Sequence, residues 1–126
     1  MKDITGREGI RQIMEDFYTL LLSDHEMRPF FDDVVKSGLD HHFDILVDFW
    51  DNMLFYTGAY GRNAMRPHLA LHEKRPMSKE HFAAWLSHLQ KAIEGRHSGP
   101  KAEEMLQKAH QIARLMEMKT SMLFPS

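Results

Sequence analysis

At 126 residues and 14.8 kDa, with 43% hydrophobic and 27% charged residues, the chain is sized for one domain over 1–126 that buries about two thirds of the surface its unfolded form exposes. A net charge of -2 offers no basic surface for nucleic acid or acidic lipid, so neither is expected as a partner. The absence of cysteine excludes disulfides, zinc-thiolate sites, iron–sulfur clusters, thiol nucleophiles and thioether-linked prosthetic groups, so any metal must be held by His, Met, Tyr or carboxylates.

The N-terminal residues Asp3, Arg7 and Glu8 do not suit a signal peptide, and no apolar run approaches a membrane span, which makes the cytoplasm the expected compartment. Thr5-Gly6-Arg7-Glu8 fits an S/T-x-x-E capping box, and Ile10, Ile13, Met14, Phe17, Leu20 and Leu21 follow at helical spacing. This predicts a helix from near Gly6 to Ser23-Asp24. Tyr18 lies on its stripe, where a tyrosine is ordinarily core with its hydroxyl bonded to a carbonyl.

Pro29 opens a short helical turn carrying Phe30 and Phe31, and the segment to Gly38 reads as a connection. From Asp40, taken as an N-cap, the stripe His42, Ile45, Leu46, Phe49, Trp50, Met53 predicts a second long helix. His42 falls on its apolar side, at a pocket rim or in a solvated first turn, while His41 lies with Asp44 and Asp48 on the polar side. Tyr56 to Asn63, with Gly58 and Gly61, reads as a loop.

The next stretch, Ala64-Met65-Arg66-Pro67-His68-Leu69-Ala70-Leu71-His72, holds an imidazole flanked one turn away by Met65 and Leu71, so in a helix His68 faces the interior. A buried neutral imidazole is a good metal ligand, but a lone histidine on an apolar face is more often a hydrogen-bonded core residue. Pro67 keeps that helix short, and Glu73-Lys74-Arg75-Pro76 breaks it with an exposed charged segment. Ser78 is the next N-cap, followed by Phe82, Trp85, Leu86, Leu89 and Ile93 to about Glu94. After a turn at Gly95–Pro100, the last helix carries Ala102, Met105, Ala109, Ile112, Ala113 and Met116 on one face. No stretch reads as a strand, so the fold class is all-α, with four main helices and one short piece.

In order along the chain stand Phe17-Tyr18 with Asp24, Pro29 and Phe31; His42 with Phe49-Trp50; Tyr60 with Met65 and His68-Leu69; and Phe82 with Trp85-Leu86. As a set these resemble the third group of truncated haemoglobins, short globins built as a two-over-two helical sandwich. The resemblance covers most of the chain, and the absence of a Gly-Gly pair agrees with that group. Arg62 and Ala64 stand where the family often has Gly and Pro, and the Met77–His81 region is longer than usual.

The resemblance implies a non-covalent haem b with one iron per chain, five-coordinate through His68 as metal ligand. It implies that Tyr18, His42 and Trp85 stabilise a distal ligand, and that Met65 lies beside the haem. The apolar stripes supply a pocket wall of Phe30, Phe31, Leu46, Phe49, Met53, Leu86 and Leu89. A tyrosine hydroxyl there favours oxygen over carbon monoxide, because bound oxygen carries more negative charge; the Trp85 indole N–H adds a second donor.

The expected function is binding of oxygen, nitric oxide or other diatomic ligands by a monomer, for oxygen binding, transport or sensing. The three distal polar groups also suit an enzyme of the nitric oxide dioxygenase or peroxidase-like kind, supplied with electrons by a separate reductase or small reductant. A different class stays open: a helical bundle holding a non-haem metal through His68 and His72 at i, i+4 with Asp44 and Asp48, although no paired Glu-x-x-His motifs are present.

Overall fold

The computed structural model describes residues 1–56 and 77–123, with side chains described as far as Met118. Its elements are α1 (Arg7–Ser23), a 3₁₀ turn (Arg28–Phe31), α2 (Asp32–Ser37), α3 (Leu39–Phe55), α4 (Lys79–Glu94) and α5 (Pro100–Leu123). Among the described residues there is no strand. α1 packs on α3 and on α4, and α4 packs on α5, which gives the truncated two-over-two helical sandwich.

The α1 stripe is buried as its spacing predicts, through Ile10, Ile13, Met14, Phe17, Tyr18 and Leu21, with Leu20 only partly covered. The entry to α1 differs from the expectation. Gly6, not Thr5, occupies the cap position, and no side chain caps the helix. Thr5 is exposed while Ile4 is buried, so the chain enters α1 by anchoring its apolar neighbour and leaves the Thr5 hydroxyl outside.

Pro29 opens the 3₁₀ turn, which buries Phe30 and Phe31. The expected plain connection to Gly38 contains α2, a six-residue helix with no buried residue and hence no stripe to betray it. Gly38 joins α2 to α3 at φ 106, a backbone conformation that strains residues with a Cβ. It takes the cap position expected of Asp40, which sits instead in the first turn of α3.

α3 carries the largest correction. Its buried face is Phe43, Val47, Trp50, Asp51 and Leu54, whereas His42, Ile45, Leu46, Phe49 and Met53 are only half-buried. The helix is apolar on two faces. One packs into the core and the other stands beside it, so a single stripe drawn from spacing shares only Trp50 with the buried face.

Charged residues also bridge α1 and α3 outside this core. Arg7 donates to Asp48 (2.6 Å) and to the buried Asp51 (3.2 Å), and Arg11 to Asp44 (2.8 Å) and Asp40 (3.2 Å). Asp44 and Asp48 thus have arginine partners, which disfavours using them as metal ligands.

α4 starts as expected: the Ser78 hydroxyl accepts the His81 backbone N–H, while the His81 ring accepts the Ser78 backbone N–H at 2.9 Å. The start of α5 is capped from the far end of the chain. Pro100 has no N–H to satisfy, and the Asp3 carboxylate accepts the next two, from Lys101 and Ala102, each at 2.9 Å. Gly99, at φ 140, lets Asp3 approach; a Cβ there would lie 2.6 Å from the Asp3 Cγ. Lys101 then donates to the Leu54 carbonyl (2.6 Å) at the end of α3, where a cation opposes the negative end of the helix dipole.

Candidate functional site

Tyr18 stands at the meeting point of three elements. It is buried on α1, and its ring lies edge-to-face with Phe17, Phe31 of the 3₁₀ turn, and His42 and Phe43 of α3, at centroid distances of 5.3–5.5 Å. Phe17 also meets Trp85 of α4 at 5.7 Å, so one aromatic cluster joins the turn to all three helices. Such edge contacts fix ring orientation beyond what burial alone does.

The Tyr18 hydroxyl lies 2.6 Å from His42 Nε2, not against a backbone carbonyl. Burial pushes the phenol well above its ordinary range, so it stays protonated and keeps a proton to donate. With Nε2 unprotonated the phenol donates to His42; with Nε2 protonated it accepts, and its own proton is left for another group. His42 lies with Leu46, Phe49 and Met53 among the half-buried residues of α3, and its ring meets the aromatic cluster at Tyr18.

The remaining residues singled out in the sequence fall as follows. Phe30 and Phe31 are buried, with the Phe30 ring 4.7 Å from that of His81. Trp85 is buried, Leu86 is half-buried beside it on α4, and Leu89 is fully enclosed in the core. Tyr60, Met65, His68 and His72 lie outside the described residues. The structure therefore brings together Tyr18, His42, Phe31 and, through Phe17, Trp85. The sequence misses one member of the cluster, Phe43, hidden because the α3 stripe falls on the neighbouring face, and it names Phe17 beside Tyr18 without showing that its ring links Tyr18 to Trp85. The adjacency of Phe43 to His42 and of Phe17 to Tyr18 was the available signal.

These residues fit a haem. The half-buried α3 face with Leu46, Phe49 and Met53, together with Leu86, is a set of large apolar groups packed on the core yet not enclosed by it, as a flat apolar macrocycle requires of its walls. A buried hydroxyl is bonded to an imidazole carried by that same helix, and the donor types are His, Tyr and Trp without thiolate.

Helices stacked two over two around an interior tyrosine–histidine pair define a truncated globin. A model of the bacterial-like globins matches residues 2–122, and the chain belongs to that family. It is similar to the group 3 truncated hemoglobin ctb of Campylobacter jejuni, at 26% identity over 111 residues that cover 86% of this chain and 85% of that protein. The crystal structure of the group III truncated hemoglobin from Campylobacter jejuni matches with a TM-score of 0.81 and 25% identity, covering 94% of each chain. The protein is a haem globin, and the non-haem bundle is not favoured. Among the described residues no helix is long and apolar enough to cross a membrane.

Proposed function

We propose that this globin holds one haem b through His68 and uses Tyr18, His42 and Trp85 to retain oxygen or another diatomic ligand and turn it over by redox chemistry. The observation that carries the reading is the protonated, buried Tyr18 hydroxyl 2.6 Å from His42 Nε2 at the edge of an unsealed apolar wall. Haem, when bound, supplies a reducible iron that takes a diatomic ligand and exchanges electrons.

The protein's own groups act around it. The aromatic cluster holds the Tyr18 ring, so its O–H is oriented before a ligand arrives and need not reorganise. A ligand that gathers negative charge is favoured by that O–H and by the Trp85 indole N–H, both in a setting poor in water. His42, one hydrogen bond from the tyrosine, receives or returns a proton at Nε2. Leu46, Phe49, Met53 and Leu86 exclude water. Several donors around one ligand lengthen its stay, which is poor for delivery and suited to catalysis, with electrons from a separate reductase or small reductant.

The test begins with visible absorption spectra of the oxidised and reduced protein, where a Soret band is expected. Oxygenated protein is then mixed with nitric oxide or peroxide under a reducing system. Many turnovers per haem support the redox reading. Rapid oxygen loss with no more than one equivalent of either substrate consumed returns the protein to reversible binding, and the absence of a Soret band removes the haem reading itself.

A further inference from the structure

Asp24 is the hub of the turn that follows α1. Its backbone N–H donates to the Leu21 carbonyl (3.3 Å), its own carbonyl accepts from Met27 (3.1 Å) and Arg28 (2.8 Å), and its Oδ1 accepts from Glu26 (2.9 Å). The remaining oxygen, Oδ2, lies 2.8 Å from Nε2 of His88 on α4. An ionised carboxylate only accepts, so Nε2 carries the proton. The His88 bond is also the foremost cause holding the Asp24 carboxyl below its ordinary range. The other ring nitrogen, Nδ1, is buried with no hydrogen-bond partner. The ring is therefore held through Nε2 alone, and this one bond sets its orientation.

What this bond ties together is specific. On one side is the turn that places Phe31 against Tyr18, six residues beyond Tyr18 itself. On the other is α4 one turn past Trp85, whose ring meets Phe17. A second link between these segments, Arg96 to Asp16, lies eight residues away along each and is exposed on both sides, where an ion pair restrains little. The half-covered Asp24–His88 pair is therefore a stronger restraint than that link on how α4 is turned relative to α1, and it acts one turn past Trp85 and at the turn that carries Phe31 to Tyr18.

We propose that Asp24 and His88 are positioning residues for the distal donors: their hydrogen bond sets the orientation of Trp85 relative to Tyr18 and so the polarity felt by a bound ligand. This rests on the haem reading above. The experiment uses the haem-loaded ferrous protein with carbon monoxide, a diamagnetic form in which the indole N–H signals of Trp85 and Trp50 are both followed by NMR. The carbon monoxide stretching band is read alongside, as is oxygen release.

His88→Leu should shift or broaden the Trp85 signal, leave the Trp50 signal in place, split or move the carbon monoxide band, and speed oxygen release about fivefold. His88→Gln, whose amide nitrogen can occupy the place of Nε2, should restore all three. If His88→Leu does not fold, Asp24→Ala with Asp24→Asn as its rescue makes the same test. An unchanged Trp85 signal and carbon monoxide band in a folded His88→Leu or Asp24→Ala protein overturns the assignment. So does an equal disturbance of both tryptophans that the conservative variant does not restore, which would mean general loosening. A parent protein without a Soret band is a different failure: it removes the haem reading, and this inference with it.

Discussion

Two polar constructions join distant parts of this globin, and they are built oppositely. The clasp at the N-terminus is made of charges that satisfy backbone groups: Asp3 accepts from Ile4, Lys101 and Ala102, and Lys101 caps α3 at Leu54. The Tyr18–His42 contact is a side-chain pair enclosed by aromatic rings, and neither partner closes a helix end. A clasp that satisfies helix termini cannot release its bonds without loosening the helices. A side-chain pair on a packed scaffold can exchange partners at little structural cost. On the proposed function, stability and ligand chemistry are thus separated in space, and variants of the two regions should move different observables.

The largest effect is expected where the proposed iron ligand is removed. His68→Gly should lose most of its haem on purification, with added imidazole restoring a haem spectrum, while His72→Ala retains haem. Pro67 favours a helix start at His68, whereas His72 adjoins the charged break at Glu73-Lys74-Arg75. Haem retention in His68→Gly together with loss in His72→Ala would reverse the assignment.

Next in size is Tyr18→Phe. The aromatic contacts survive in phenylalanine, so only the hydroxyl is tested. Loss of a hydrogen bond of about 1–3 kcal/mol to a partly anionic ligand predicts oxygen release faster by ~5- to 150-fold, with carbon monoxide release changed far less. Equal effects on the two ligands would show that the residue acts through packing. The melting temperature should change little, which distinguishes this region from the clasp.

The difference between the regions also explains what could be read from the sequence. α1, the Pro29 turn, α4 behind Ser78 and the α5 face were legible because each has one apolar stripe with a recognisable stop or cap. α3 was legible as a helix but its buried face was not, because it is apolar through a wide arc, and spacing does not say which side is buried deeper. Tyr18 was legible as a stripe residue, but its partner was not, since a hydroxyl's choice between a carbonyl and an imidazole depends on how α3 is rotated. The clasp was illegible for another reason. Asp3 lies 98 residues from Lys101, and a local cap search finds Thr5-x-x-Glu8, which α1 does not use.

Breaking the clasp should therefore cost stability and spare ligand kinetics. Asp3→Ala removes the cap from the Lys101 and Ala102 amides, for which a loss of about 0.5–2 kcal/mol is expected by thermal or denaturant unfolding. The effect should depend on pH. Burial opposes ionisation of Asp3, yet the backbone N–H groups of Lys101, Ala102 and Ile4 outweigh it and hold the carboxyl below the ordinary aspartate range. A lowered folded-state value means the contribution is fully present above about pH 4–5 and fades as pH falls through the folded value. Parent and Asp3→Ala should accordingly converge in stability in strong acid; a gap that persists there would mean that packing, not the carboxylate, is what the substitution removes.

The smallest effect is expected at Arg11, and it sharpens the comparison by supplying a polar contact that serves neither end. Arg11 bridges α1 to Asp40 and Asp44 of α3, but the Asp40 side chain is 96% and that of Asp44 67% exposed, so water solvates the carboxylates whether or not the arginine is present. Exposed pairs of this kind contribute about 0–1 kcal/mol and are screened by salt. Its guanidinium also lies 5.8 Å from the centre of the Phe43 ring, part of the cluster around Tyr18, so removal of charge and removal of the aliphatic stem must be separated. Arg11→Met keeps most of the stem and should lower stability by less than about 1 kcal/mol at low salt and by less still at high salt. Arg7→Met is the internal contrast, because its partner Asp51 is buried and Arg7 is its hydrogen-bond donor. Leaving that carboxylate without its cation should cost more than the Arg11 change and resist salt. Equal, salt-sensitive losses at the two arginines would mean that Asp51 is hydrated in solution and that the α1–α3 seam is held by its apolar face alone.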